Sequence, residues 1–244
     1  MALLFLAAGY LYSAGMVRQA ERRASGRQVA AFMTGVLLLV GLFETPFDTL
    51  AADFLSAHMV QHLAVTLVVP PLLLLGTPAW LLEPWFRSSR AVSVGRFLTR
   101  PLAAYALFNV PFTLVHLPAL YELMLRNTAA HLLSHGVFLL TALLLWWPVL
   151  GPLPALPRLA YPLQMLYLLV QTVPGQFIGA FLTFAPSLLY PFYGEAARGG
   201  VSPELDQQIA GLLMWVGGGF FYLIPLGGVF FAWYNREEAR TVAT

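Results

Sequence analysis

The residues His58-Met59-Val60-Gln61-His62 stand directly before an uncharged run, residues 63–75. Two histidines four residues apart on an α-helix share one face, about 6 Å apart along the helix axis. The arrangement returns in His131-Leu132-Leu133-Ser134-His135, before a second uncharged run, residues 136–150. The chain is therefore organised around two pairs of imidazoles, each at the edge of an apolar segment.

The composition around these pairs is that of an integral membrane protein. Of the 244 residues, 59% are hydrophobic and 10% are charged, whereas a soluble domain carries about 25% charged residues. Lipid offers the backbone no hydrogen-bonding partners, and the long apolar runs lack the two-residue alternation of strands, so we predict an all-α fold. The absence of cysteine excludes disulfides, thiolate metal sites, iron–sulfur clusters and cysteine nucleophiles.

Apolar runs of about 20 residues are long enough to cross a bilayer as helices. In this chain they predict a polytopic membrane protein with seven transmembrane helices in a single domain, residues 1–244. The first is short, which leaves a start further upstream open, and the Pro70-Pro71 pair should kink the third. The predicted spans are residues 1–17, 29–43, 54–80, 101–116, 129–150, 161–184 and 206–234.

The distribution of arginine sets the predicted orientation. All thirteen basic residues are arginine, and on this topology only Arg126 and Arg198 fall on one side, which leaves eleven on the other. Cytoplasmic loops carry the excess of basic residues in membrane proteins. We therefore predict that the N-terminus lies outside and the C-terminus in the cytoplasm.

Every histidine then falls at the outer end of a predicted helix. Imidazole suits copper, zinc, iron and nickel, and pairs at four-residue spacing chelate well. A single membrane histidine more often hydrogen-bonds between helices, but two pairs at one depth on parallel spans favour a metal or cofactor. Nearby aspartates would ligate or act as helix N-caps, which is their commoner role. The predicted ligands are His58, His62, His131 and His135, supported by His116 and by Asp53 or Asp206.

Hydrolysis and nucleic-acid binding fit the sequence poorly. A zinc protease needs a glutamate directly after the first histidine, where this chain has Met59 and Leu132. No basic stretch is interleaved with aromatic residues, as nucleic-acid binding requires. A transporter stays open because broken helices line pathways, although the inner half lacks matching ionisable groups. We therefore predict a protein that is not an enzyme and binds no nucleic acid.

Several shorter motifs accompany the histidine pairs. They lie at residues 45–48, 56–62, 70–76, 116–118, 131–135, 146–148, 206–207 and 211–215. Together they resemble the bacterial CtaG family of cytochrome c oxidase assembly factors, a seven-helix membrane family, over about residues 30–235. The resemblance implies a role in building an active heme–copper oxidase, at the copper-insertion step.

We therefore expect a multi-pass protein of the bacterial cytoplasmic (inner) membrane that binds copper near the outer face and helps its insertion into an oxidase. Its expected partners are the lipid bilayer, the terminal oxidase subunits and a periplasmic copper donor. Two alternatives stay open. One is a b-type heme protein, in which histidines on facing helices ligate iron axially. The other is a metal-free assembly scaffold whose histidines only hydrogen-bond.

Overall fold

The computed structural model describes Gly9, Tyr12, residues 24–195 and residues 200–242. Within these residues the chain forms helices and no strands, which confirms the predicted all-α class. The first predicted span, residues 1–17, lies outside the described residues apart from Gly9 and Tyr12.

Ten α-helices make up the described part of the chain. They are α1 (Gly26–Phe43), α2 (Pro46–Asp53), α3 (Leu55–Gly76), α4 (Ala79–Leu82), α5 (Ser89–Leu98), α6 (Pro101–Val115), α7 (Pro118–Leu125), α8 (Thr128–Leu150), α9 (Tyr161–Thr183) and α10 (Pro203–Thr241). Helices α3 and α10 each contain one π-helical turn, at Ala64–Val68 and Leu213–Gly217 respectively. Short 3-10 turns follow α4, at Glu83–Phe86, and precede α10, at Pro191–Gly194.

Five of these helices are long and apolar enough to cross a membrane, namely α1, α3, α8, α9 and α10. A sixth span results if α6 and α7 count as one, although the two helices meet at 82°. Helix α6 ends at Val115 because Leu117 precedes Pro118, and a residue before proline avoids the α conformation. The described residues therefore provide five or six of the seven predicted spans, and the count of seven is not confirmed.

The two ends of the helical bundle differ in chemistry. Helices α3, α8 and α10 begin, and α6 ends, at the end that carries the histidines. We call this the histidine end. Most of the arginines that the structure describes lie toward the opposite end, namely Arg27, Arg87, Arg90, Arg96, Arg100, Arg158, Arg236 and Arg240.

Helices α3 and α8 lie side by side and run parallel. In a regular helix the carbonyl of Thr66 would accept from the N–H of residue 70, but Pro70 has no N–H. The indole N–H of Trp146 on α8 donates to that carbonyl instead, at 2.9 Å. A π-helical turn, Ala64–Val68, lies just before these prolines, where the sequence predicts a kink.

Two glycines allow α9 and α10 to approach closely near the histidine end. A Cβ atom on Gly211 would lie 2.6 Å from the Gly179 carbonyl oxygen, and one on Gly179 would lie 2.7 Å from the Gly211 carbonyl oxygen. Small residues at such crossings are typical of packing between membrane helices. This close contact fixes the position of the first turns of α10, which include Asp206.

Candidate metal centre

Three histidines converge between the first turns of α3 and α8. Ring nitrogen atoms of His58, His62 and His135 all lie within 4.8 Å of one another. Their exposed fractions are 2%, 5% and 4%, so all three are buried. A buried group of three imidazoles supplies the donor atoms and the shielding from water that a protein-bound metal ion uses. We call these three residues the central histidines.

The other two histidines flank the central ones. His131 stacks on His58 with ring centroids 5.3 Å apart, and its ring lies 4.6 Å from that of His135. The His116 ring lies 6.3 Å from that of His62. His131 is partly exposed, whereas the other four are buried. The structure thus brings all five predicted histidines into one cluster, with His131 at its mouth.

The hydrogen bonds of the cluster do not occupy all of its ring nitrogens. The Nε2 atoms of His58 and His62 face each other at 2.7 Å. His116 Nδ1–H donates to the Phe112 carbonyl oxygen at 2.6 Å, which leaves its Nε2 as the nitrogen with a lone pair. Among the described residues, Nε2 of His116, His131 and His135 has no hydrogen-bond partner. Buried polar atoms rarely lack a partner, so this donor set fits a bound cation.

Asp206, a predicted supporting ligand, holds the start of α3. Its Oδ2 accepts from the Leu55 N–H at 2.7 Å, and its Oδ1 accepts from the N–H of Ser56 at 3.2 Å and from the Ser56 hydroxyl. The first N–H groups of a helix have no partner within it, and a negative charge is favourable there. The carboxylate of α10 therefore caps the helix that carries His58 and His62.

Asp53, the other predicted aspartate, is the last residue of α2 and is partly exposed. Within the described residues its carboxylate is not in the group that converges on the central histidines. The acidic residue of α2 that is tied to α3 is Asp48, which accepts from Gln61 Nε2 at 3.1 Å. Gln61 also donates to the Leu42 carbonyl oxygen at 2.8 Å, so it fastens α3 to α1 and α2. Gln61 is not among the residues predicted from the sequence, although its place between the paired histidines was a usable signal.

Three tyrosines close one side of the cluster, and we call them the tyrosine wall. Tyr190 and Tyr193, from the connection between α9 and α10, are both 0% exposed. The Tyr190 hydroxyl donates to the His116 carbonyl oxygen at 2.8 Å, and its ring stacks on Tyr121 at 4.1 Å. The rings of Tyr121 and Tyr193 are steeply inclined to the His58 ring, with centroids 5.8 and 6.4 Å from it. Burial raises the pKa of Tyr190, so its hydroxyl keeps its proton and remains a donor.

An ion-pair network fastens the same connection to α7. Arg126 Nη2 lies 2.8 Å from a Glu195 carboxylate oxygen, and its Nε lies 3.2 Å from one of Glu122. Glu122 also accepts from the Phe192 N–H at 2.9 Å. The guanidinium holds the pKa of the Glu195 carboxyl below its usual range. Because Arg126 and Glu195 are exposed, screening keeps the energetic contribution small, and the network serves to position the tyrosine wall. No spacing pattern in the sequence predicts this ion-pair network.

Comparison with known families gives one match that covers most of the chain. The model of the family described as cytochrome c oxidase caa3 assembly factor (Caa3_CtaG) matches residues 8–236. The matched region contains all five histidines, the aspartates discussed above and the tyrosine wall.

Similar proteins come from mycobacteria. An uncharacterized protein of Mycobacterium leprae (strain TN) is 25% identical over 98% of this chain, which corresponds to 39% of the relative. An uncharacterized protein of Mycobacterium bovis is 25% identical over 86% of this chain and 34% of its own length. The chain therefore spans about two fifths or less of the length of these relatives. No solved structure matches the chain.

Proposed function

The chain belongs to the Caa3_CtaG family of cytochrome c oxidase assembly factors, and from this premise we propose that it holds copper at the histidine cluster and passes it to an oxidase under assembly. Copper is the cargo in this proposal, and the protein catalyses no reaction. Its partners are the lipid bilayer of the inner membrane, the subunits of the oxidase and a periplasmic copper donor.

The observation that carries the proposal is the convergence of the central histidines. Three buried nitrogen donors lie within 4.8 Å of one another, and the Nε2 atoms of His116, His131 and His135 find no partner among the described residues. Imidazole nitrogens bind copper and zinc alike, with Cu²⁺ bound more tightly than Zn²⁺ at a given site. The assembly role of the family then favours copper, which a heme–copper oxidase contains.

The position of the cluster suits a transfer of copper at the membrane surface. A free ion cannot enter the hydrocarbon layer without losing its hydration. Three neutral imidazoles would replace that hydration inside the bundle. His131 at the mouth is the ligand that an arriving or leaving ion meets first, because it is the one partly exposed histidine of the cluster.

The proposal puts the histidine end on the outer side of the membrane, because the arginines cluster at the opposite end. Reporter fusions test this orientation. A green fluorescent protein at the C-terminus should glow, and alkaline phosphatase in the connection between α9 and α10 should be active. The opposite pattern would put the cluster on the cytoplasmic side and overturn transfer at the outer face.

The compactness of the cluster favours a bare ion over heme. An axially ligated heme needs a planar macrocycle between its two imidazoles. Here the rings of His58 and His62 are 4.5 Å apart and those of His62 and His135 are 5.1 Å apart. The rings contact one another, which leaves no slot for a porphyrin. Unpartnered Nε2 atoms likewise count against a scaffold whose histidines serve only as hydrogen-bond partners.

Metal content of purified protein is the decisive experiment. Wild-type protein loaded with Cu(I) or Cu(II) and then desalted should retain copper, whereas a His58→Ala/His62→Ala/His135→Ala variant should not. Met59→Leu is the matched control, because Met59 is buried on the same helix but, one residue after His58, does not share the face of the paired histidines. Equal copper in the wild-type and triple-variant proteins would refute the site. An absorption spectrum of the same samples reports any heme.

A deletion strain tests the cellular role. Terminal oxidase activity should fall while oxidase polypeptides remain in the membrane, and added copper should restore part of the activity. Full activity at limiting copper would contradict a delivery role. Loss of oxidase heme with copper intact would favour the heme alternative.

A further inference from the structure

A second polar region lies deeper in the bundle than the histidine cluster. Asn109 on α6 and Gln171 on α9 are buried, with exposed fractions of 6% and 4%. Their side-chain amides exchange two hydrogen bonds, at 3.0 Å and 3.2 Å. Polar groups within membrane spans cost free energy unless they are partnered, and they often mark functional positions. The proposed copper site does not use this amide pair.

A cavity of about 40 Å³ connects the amide pair to the histidine cluster. A water molecule needs roughly 10–15 Å³ of such space and two to four polar partners, so the cavity has room for about three water molecules. Its polar lining consists of His62, Thr66, Asn109, Gln171, Thr172 and Tyr222. Phe108, Phe112 and Met214 contribute apolar lining.

The ring of His62 belongs to both the cluster and the cavity. Its Nε2 faces His58, which does not line the cavity, whereas His62 itself does. The other ring nitrogen, Nδ1, is buried and has no hydrogen-bond partner among the described residues. If His62 binds a cation through Nε2, its proton must sit on Nδ1, and a buried N–H there needs an acceptor.

We infer that this cavity is a water chamber, in which bound water accepts from His62 Nδ1–H and is held in turn by the amides of Asn109 and Gln171. The water would fix His62 in the tautomer that presents its Nε2 lone pair to the cluster. The Phe112 carbonyl oxygen does the same for His116. Ligating histidines commonly donate their second N–H to such an outer partner. Hydration of the chamber does not depend on copper, whereas its effect on copper affinity rests on the proposed function.

X-ray hydroxyl-radical footprinting of the metal-free full chain in lipid nanodiscs tests the hydration. Radicals form from water next to the side chain that they oxidise, and methionine is readily oxidised. Met214 lines the chamber and is 4% exposed, so it should be oxidised several-fold faster than Met59, which is 0% exposed and does not line it. Equally slow oxidation of the two methionines would overturn the inference.

A cavity-filling variant tests the role of the water. Gly175 lines the chamber, and a Cβ atom there would meet nothing within 4 Å. Gly175→Val should remove the rapid oxidation of Met214 and weaken copper binding roughly 10-fold, as loss of an outer partner does. Gly227→Val is the matched control, since Gly227 is also a helical glycine with nothing within 4 Å but does not line the chamber.

A second variant keeps the inference testable if Gly175→Val fails to fold. Asn109→Leu/Gln171→Leu removes both amides together, so that neither is left buried without its partner. This double variant should likewise remove the rapid oxidation of Met214 and weaken copper binding. Unchanged oxidation of Met214 and unchanged copper affinity in the folded variants would overturn the inference. Rapid oxidation of Met214 in a wild-type protein that binds no copper would support the chamber and refute the proposed function instead.

Discussion

The two His-x-x-x-His pairs share a spacing but lie in different surroundings. Both members of the α3 pair, His58 and His62, belong to the central histidines and are buried. Of the α8 pair, His135 belongs to that group, while His131 is partly exposed. The four-residue spacing puts two side chains on one face of a helix. The packing of that helix against its neighbours decides whether both reach the same point.

The starts of the two helices are also held in different ways. Helix α8 is capped locally, because the Asn127 side chain accepts from the Ala130 N–H at 3.1 Å. Helix α3 has no side-chain cap from its own N-cap residue, and Asp206 caps it from α10 instead. The start of α3 therefore depends on tertiary structure, whereas the start of α8 is capped by its own sequence. Four substitutions probe this difference.

The largest effect should come from the α3 pair. His58→Ala removes one of three converging donors and should weaken copper binding roughly 100-fold or more, beyond the 10- to 100-fold typical of an outer partner. Competition with a chromogenic chelator measures the affinity. Adding His62→Ala should cost little further, because ligands that act as a unit are not additive. Independent, additive losses would mean that the two histidines do not share an ion.

Substitution of His131 should have a smaller effect. His131→Ala leaves the three central nitrogens in place, so we expect a loss of roughly 10-fold in the same chelator competition, similar to the loss of an outer partner. If His131→Ala weakens copper binding as much as His58→Ala does, the α3 and α8 pairs contribute equally as ligands and the distinction drawn between them is wrong.

The main effect of Asp206→Ala should be a loss of folding stability. It leaves the first N–H groups of α3 without an acceptor, and loss of a helix cap costs about 1–2 kcal/mol in the free energy of unfolding. Thermal unfolding in detergent, followed by circular dichroism, measures this effect. Copper affinity should fall as well, since the start of α3 positions His58. A variant with wild-type stability but no bound copper would instead identify Asp206 as a ligand.

Asn127→Ala should have the smallest effect of the four. This cap is local and exposed, so its loss should cost about 0.5 kcal/mol in the free energy of unfolding and leave copper affinity unchanged. The same unfolding and competition measurements apply. A loss of copper affinity comparable to that of Asp206→Ala would show that the α8 pair needs its helix start as much as the α3 pair does.

Several features of this protein follow from the sequence alone. The all-α class follows from long apolar runs in a chain with 10% charged residues, because only helices satisfy the backbone of such runs locally. The placement of the histidines at one end follows from the direction in which each span runs. The resemblance to the CtaG family, carried by motifs around the histidines, agrees with the family match over residues 8–236. Each of these properties can be read from residues that are close together in the sequence.

Other features were decided by tertiary structure. The separation of His131 from the central histidines, the capping of α3 by Asp206 and the pairing of Asn109 with Gln171 all depend on contacts between helices. Asp206 lies 151 positions from Leu55, and Asn109 lies 62 from Gln171. Hydropathy and spacing fix which face of a helix is apolar, but they do not fix how far one helix slides or rotates against another. That freedom is removed by close packing, as at Gly179 and Gly211, because only one arrangement brings the backbones of α9 and α10 into contact there.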